Sequence, residues 1–192
     1  MIDPTLELQF RERKKAVEKT GTRILQRDGE LLELCCLLRR FSIRNIVEIG
    51  FAEGGSAAML MHLLPEAKRL WVYEPFEAGA PVTQVMNFNT ECGRKMLDQL
   101  RVEGYEVELN PSADPPKASV DFLHIDGDHR RPRQDWDRFH TAVKPGGFVA
   151  IHDIVSKEMP SPGILFEELA RTRQSWRFID ATHWLGIGVL RL

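Results

Sequence analysis

Residues 46–56 read Ile-Val-Glu-Ile-Gly-Phe-Ala-Glu-Gly-Gly-Ser, and no other run limits the fold as much. A short apolar stretch ends in Glu48-x-Gly50, Gly54 follows, and Ser56 opens the pattern Ala57, Leu60, Met61, Leu64. The pattern predicts a buried strand, a tight glycine turn and a helix. Glycine is needed where a backbone bends sharply or lies against a ligand. The start of the helix adds amide donors with no partner inside the helix. Such a turn is a ligand cradle, and its spacing decides which ligand.

A dinucleotide cradle uses G-x-G-x-x-G, whose middle glycine lets the backbone touch pyrophosphate. Here Phe51 and Ala52 follow Gly50, so that glycine is missing. A phosphate loop needs G-x-x-x-x-G-K-[ST]. Gly50-x-x-x-Gly54 has the wrong length, and no lysine follows it. Glu48 and Glu53 would repel phosphates and suit a cofactor carrying a sulfonium and an ammonium, which describes S-adenosylmethionine (SAM). A second apolar run, Leu70-Trp71-Val72-Tyr73, ends in Glu74. In nucleoside-binding α/β folds an acid about 20 residues past the glycine turn binds the ribose hydroxyls. The cofactor contacts expected are Glu48, Gly50, Phe51, Gly54, Ser56 and Glu74.

A chain of 192 residues suffices for one domain with a substantial core. Its 43% hydrophobic and 28% charged residues are those of a globular protein. A net charge of −2 gives no reason to expect nucleic acid or an anionic membrane as partner. The first residues contain no signal-like apolar core, and no stretch is long enough to span a bilayer. Cys35, Cys36 and Cys92 form no C-x-x-C pair, which argues against structural zinc. A reducing cytoplasmic setting is the natural reading.

Two helices are expected before residue 44, the first starting at Asp3-Pro4 and the second spanning about 28–41. Strands are expected at 45–49, 69–73, 105–109, 119–125 and 147–151, with helices at about 55–64, 89–103 and 133–143 between them. Lys144-Pro145-Gly146-Gly147 should end the last of these. A helix at about 161–172 precedes strands at about 176–180 and 184–191, close enough together that they must be antiparallel. The fold class is therefore α/β: a Rossmann-like, doubly wound, mostly parallel seven-stranded sheet with an antiparallel C-terminal strand and helices on both faces. Residues 75–90 form the one long irregular stretch, either a surface loop or a binding loop.

A second constellation lies at two strand ends. Residues 119–129 end in Asp126-Gly127-Asp128-His129, and 148–151 lead into His152-Asp153. Ligands in open α/β sheets bind beyond the carboxyl ends of the strands. Neighbouring strands lie about 4.8 Å apart, so Asp126 and Asp153 can converge beside the cofactor. Magnesium accepts one or two carboxylates plus waters. An imidazole from His152 tilts the preference toward manganese, iron or zinc. The alternative is that Asp126 serves the cofactor alone and Asp153 caps a loop. His129 is a candidate general base. His124, inside a strand, reads as a buried structural histidine. Arg130, Arg131 and Arg133 read as a solvated face or as a lure for an anionic substrate.

Together, residues 120–129 and Lys144-Pro-Gly-Gly-Phe-Val-Ala-Ile-His-Asp-Ile154 resemble the class I SAM-dependent methyltransferases of the cephalosporin-hydroxylase and macrolide sugar O-methyltransferase type. The similarity runs from about 44 to 192, with residues 1–43 as helices packed on that core within a single domain. It implies that Gly50, Gly54 and Ser56 hold the methionine part of SAM and that Glu74 holds the ribose. It implies a divalent metal, magnesium or manganese, at Asp126, His152 and Asp153. His152 departs from the acidic pair expected there. The activity implied is O-methylation of a hydroxyl on a small molecule; with Asp126 at the metal and His129 as the candidate base, these two are the catalytic residues expected. A SAM-binding partner or sensor without turnover is the alternative, and the amphipathic first helix makes a homodimer plausible.

Overall fold

In the computed structural model, residues 3–74, 89–110, 114–180 and 185–192 are described. The elements run α1 (Pro4–Lys19), α2 (Asp28–Leu38), β1 (Asn45–Ile49), α3 (Gly55–Leu63), β2 (Arg69–Tyr73), α4 (Thr90–Val102), β3 (Glu106–Leu109), β4 (Val120–Ile125), α5 (Pro132–Phe139), β5 (Val143–His152), α6 (Ser161–Ala170), β6 (Ser175–Phe178) and β7 (Ile187–Arg191). Asp3 caps α1 by accepting from the Thr5 N–H at 2.9 Å, with Pro4 behind it. Asn89 caps α4 in the same way.

The seven strands lie in the order β3-β2-β1-β4-β5-β7-β6. Strands β1 to β5 are parallel, and β7 runs antiparallel to both β5 and β6. This is the doubly wound sheet expected from the sequence. Strand periodicity divides its side chains. Ile46, Leu70, Val72, Phe122, Phe148 and Val189 face a core shared with α1 to α4. Val47, Ile49, Trp71, Leu123, Val149 and Ile151 face a second core completed by Trp136, Phe139, Leu165 and Phe166 from α5 and α6. Burial on both faces explains the near-continuous apolar runs of β1, β4 and the end of β5.

The helix expected over 133–143 is shorter. It ends at Phe139, a single 3-10 turn covers His140–Ala142, and β5 starts at Val143 rather than 147. Lys144-Pro145-Gly146-Gly147 therefore lies inside a strand. The β4–β5 register slips between Val120 and Phe122, so the segment passes as an irregular strand entry. A side chain on Gly147 would sit 2.7 Å from Val143 Cγ1, too close for any other residue. The expected loop at 75–90 falls mostly outside the described residues.

The order of β2, β1 and β4 sets the functional end. Strand β1 is flanked by β2 and β4 on either side, and all three end on the same edge. Gly50 leaves β1 with φ +83. A Cβ there would lie 2.5 Å from the Asp126 carbonyl carbon and 2.7 Å from Gly127 Cα, both backbone atoms that cannot yield. Gly50→Ala is expected to lower stability by about 3 kcal/mol or more, the combined cost of a left-handed alanine and overpacking. Chemical denaturation of the variant checks this, and a loss below about 1 kcal/mol would contradict the close approach.

Candidate functional site

The glycine turn is a chain of left-handed residues. Gly50, Ala52 and Gly54 have φ of +83, +50 and +81. Gly54 has no room for a side chain because the Phe51 ring packs beneath it, with Cε1 2.5 Å from the Cβ position. Phe51 is 2% exposed, so its ring is buried beneath the turn. One oxygen of Glu74, Oε2, accepts from the N–H of Phe51 at 2.7 Å and of Ala52 at 3.0 Å. The end of β2 is thereby tied to the turn after β1. The Glu74 backbone is fixed in turn by Asn110, whose side chain accepts from its N–H at 2.9 Å and donates to its carbonyl at 2.6 Å. Asn110 was not foreseen. Its only sequence signal is an asparagine closing a strand, where it takes a φ of +43.

Glu48 and Ser56 sit behind the turn. Glu48 is fully enclosed, accepts from the Ser56 hydroxyl at 3.0 Å and lies 3.4 Å from His124 Nδ1. Glu48 Oε2 and both His124 nitrogens are buried without a hydrogen-bond partner. Glu48 and Ser56, expected at the ligand, meet each other here and join β1 to the first turn of α3. Glu53 behaves likewise. It accepts from Arg23 through the backbone N–H at 2.9 Å and through Nε at 2.8 Å, and from the Asn89 N–H at 3.1 Å. Burial alone would raise its carboxyl, but the Arg23 and Asn89 donors hold it below the usual range. The segment between α1 and α2 is thereby clamped onto the turn, so tightly that a side chain on Gly55 would lie 2.7 Å from Ile24 Cα.

The strand ends of β4 and β5 form the densest polar cluster. Asp126 Oδ1 lies 2.9 Å from His152 Nδ1 and 3.1 Å from His129 Nε2. Its other oxygen, Oδ2, accepts from the Gln26 side-chain amide. Asp153 Oδ2 is 2.9 Å from His129 Nδ1, and Asp153 Oδ1 is 3.3 Å from His152 Nδ1. The sequence-expected group Asp126, His129, His152 and Asp153 is brought together. Gln26, a hundred residues away in the chain, was missed. Arg130 pairs with Asp128 at 2.9 Å, and Arg133 pairs with Glu168, as solvated-face residues do.

These charges set one another. Burial would raise Asp126, yet the charge of His152 and the hydrogen bond from His129 hold it far below the usual carboxylate range. Burial would lower both histidines. The carboxylates of Asp126 and Asp153 overcome it, pushing His129 up to about 10 and raising His152. With a carboxylate on each ring nitrogen, His129 keeps its proton at neutral pH. The two carboxylates favour the charged form of the His129 ring. No curated protein sequence matches the chain.

The chain is thus a doubly wound α/β sheet with a glycine turn after β1, an acid after β2 and polar strand ends at β4 and β5. Residues 47–154, more than half of the chain, match the family described as "Methyltransferase domain". The chain belongs to that family. Its fold is similar to that of a candidate caffeoyl-CoA O-methyltransferase from Staphylococcus aureus (TM-score 0.66, 14% identity, 95% of this chain and 91% of that one). It is also similar to the O-methyltransferase TomG of tomaymycin synthesis from Streptomyces achromogenes, solved with SAM (TM-score 0.62, 19% identity, 96% and 89%). A third is an O-methyltransferase from Bacillus cereus solved with SAH (TM-score 0.61, 14% identity, 99% and 92%).

The histidine shifts fix a sign. A histidine raised in the fold stabilises fully below its unfolded value of about 6.5, and that contribution is lost as pH rises through its folded value. For His129 the loss runs from about pH 6.5 to about 10. Thermal unfolding from pH 6 to 10 is expected to show wild type losing stability faster than His129→Gln, closing the gap between them by about 2–4 kcal/mol. Parallel curves would contradict the double carboxylate contact.

Proposed function

We propose that this chain is a SAM-dependent methyltransferase that methylates a hydroxyl on a small acceptor molecule. The observation that carries the reading is the packing of Gly50 against the Asp126 backbone, which sets the glycine turn beside the cluster at the strand ends. Family membership and the SAM and SAH complexes of the similar structures support it. Gly50, Gly54 and Glu74 would hold the cofactor. Glu74 already meets the two turn amides with one oxygen, so it is aligned to receive ribose hydroxyls. When bound, SAM supplies a methyl already activated on a sulfonium, which leaves the protein mainly the work of alignment.

That work falls to Asp126. Among the described residues it is the one carboxylate contacting both histidines and, through Gln26, the N-terminal segment, and it holds its negative charge at neutral pH. A charged carboxylate accepts from an acceptor hydroxyl and orients its lone pair. The donor set also fits a divalent cation, since Asp153 Oδ1 and His152 Nε2 are buried with no hydrogen-bond partner. On the sequence-level assignment Asp126, His152 and Asp153 would hold it, and such an ion would lower the hydroxyl's pKa. A small acceptor agrees with the net charge of −2, which gives no attraction to nucleic acid. No helix among the described residues is long and apolar enough to cross a membrane.

Titration calorimetry with SAM and SAH tests the reading. One molecule per chain is expected, with Glu74→Ala weakening binding by about 1.5–3 kcal/mol, the worth of hydrogen bonds to a charged group. Unchanged affinity in that variant would remove Glu74 from the cofactor site, and no binding to wild type would remove the reading itself.

A further inference from the structure

At the end of α3 away from the glycine turn, α1 and α3 border a pocket of about 440 Å³. That volume lies within the range of small-molecule sites. Glu12 and Arg13 on α1 form one wall, and Arg39, His62 and Leu63 form the other. Arg39 is fixed in place. Its Nη1 donates to Gln9 Oε1 at 2.9 Å and to the Leu63 carbonyl at 3.1 Å. Both acceptors are neutral, so the Arg39 charge meets no carboxylate among the described residues. The Arg13 side chain makes no hydrogen bond or ion pair among them either. A guanidinium offers a planar fork of donors that matches a phosphate or a carboxylate. Glu12 is the one acid on the walls, and the C-terminal end of α3 adds a partial negative charge. Two guanidiniums leave the pocket positive all the same.

A second observation points to an occupant. The His62 side chain is only 9% exposed, and its Nε2 lies 2.6 Å from Glu103 Oε2. Burial would raise the Glu103 carboxyl, but the hydrogen bonds from Gln99 and His62 and the charge of Arg13 hold it below the usual range. Glu103 is therefore a carboxylate at neutral pH and accepts the Nε2 proton of His62. The other ring nitrogen, Nδ1, is buried with no partner. A buried polar atom left unpaired is a cost that a partner would remove. The pocket that His62 lines is where such a partner can sit.

We infer that this pocket binds the phosphate group of a small molecule, free or esterified, with its oxygens on the Arg13 and Arg39 guanidiniums and one of them hydrogen-bonded to His62 Nδ1. Phosphate suits all three groups. Its second pKa is about 6, so near neutral pH it can either donate a proton to a ring nitrogen or accept one from it. Sulfate can only accept. The nine residues of α3, about 13 Å of helix, separate the pocket from the glycine turn, so its occupant and a ligand at the turn would not compete. The inference therefore stands apart from the methyltransferase reading.

The test titrates the full chain separately with inorganic phosphate, glycerol phosphate and sulfate, read by calorimetry and by the imidazole ¹⁵N resonances of His62. One phosphate group per chain is expected, with the His62 resonances of the wild-type chain moving to saturation, a readout that needs no variant. Arg13→Ala and Arg39→Ala should each weaken binding about tenfold or more, the worth of a hydrogen bond to a charged group. Sulfate should bind about tenfold more weakly than phosphate, for want of a donor. Tighter binding of glycerol phosphate assigns the site to an ester, and tighter binding of inorganic phosphate assigns it to the free ion. Saturating SAH should leave the phosphate titration in place. Absence of saturation, unmoved His62 resonances, sulfate binding as tight as phosphate, or displacement of phosphate by SAH would each overturn the inference.

Discussion

Everything at the functional edge depends on how closely β1 and β4 approach where they end. Gly50 turns out of β1 at a φ of +83, and the backbone of Asp126 and Gly127 occupies the space a side chain would need. The Asp126 N–H donates to the Ile49 carbonyl at 2.8 Å, so the parallel ladder continues up to this contact. A glycine there is what allows the turn joining β1 to α3, tied to the end of β2, to adjoin the polar cluster at the ends of β4 and β5. The N-terminal segment closes a third side through Arg23 on Glu53 and Gln26 on Asp126.

The electrostatics follow from that crowding. His152 and Asp153 are buried and Asp126 and His129 are largely so, and their charges pair with one another. A buried charge without a partner is costly, and removing one partner leaves the rest exposed to that cost. The same mutual pairing that keeps Asp126 ionised keeps His129 protonated. His129 reads as a candidate base from its type alone; the structure adds a carboxylate against each nitrogen of its ring.

Much of this was legible in the sequence because the signals were local. The apolar run, Gly50, Gly54 and the helical pattern after Ser56 lie within one supersecondary unit, and Glu74 ends the next strand. Asp126, His129, His152 and Asp153 were visible as polar residues ending apolar runs. What escaped was carried by distant pairs. Arg23 with Glu53, Gln26 with Asp126, and Glu74 with Asn110 join residues 30, 100 and 36 positions apart, and no periodicity records such contacts. Glu48 and Ser56 were read as facing a ligand because both border the glycine turn. Strand alternation instead sends Glu48 to the α3 face, where Ser56 meets it. The start of β5 was misjudged because proline and two glycines usually stop an element, and here they form an irregular strand entry.

The most direct measurement of the central claim is a crystal structure of the chain soaked with S-adenosylhomocysteine. The account predicts density along the Gly50–Gly54 turn, with ribose oxygens on Glu74 and the sulfur directed toward Asp126. An empty turn, or the nucleoside bound elsewhere on the molecule, would contradict it.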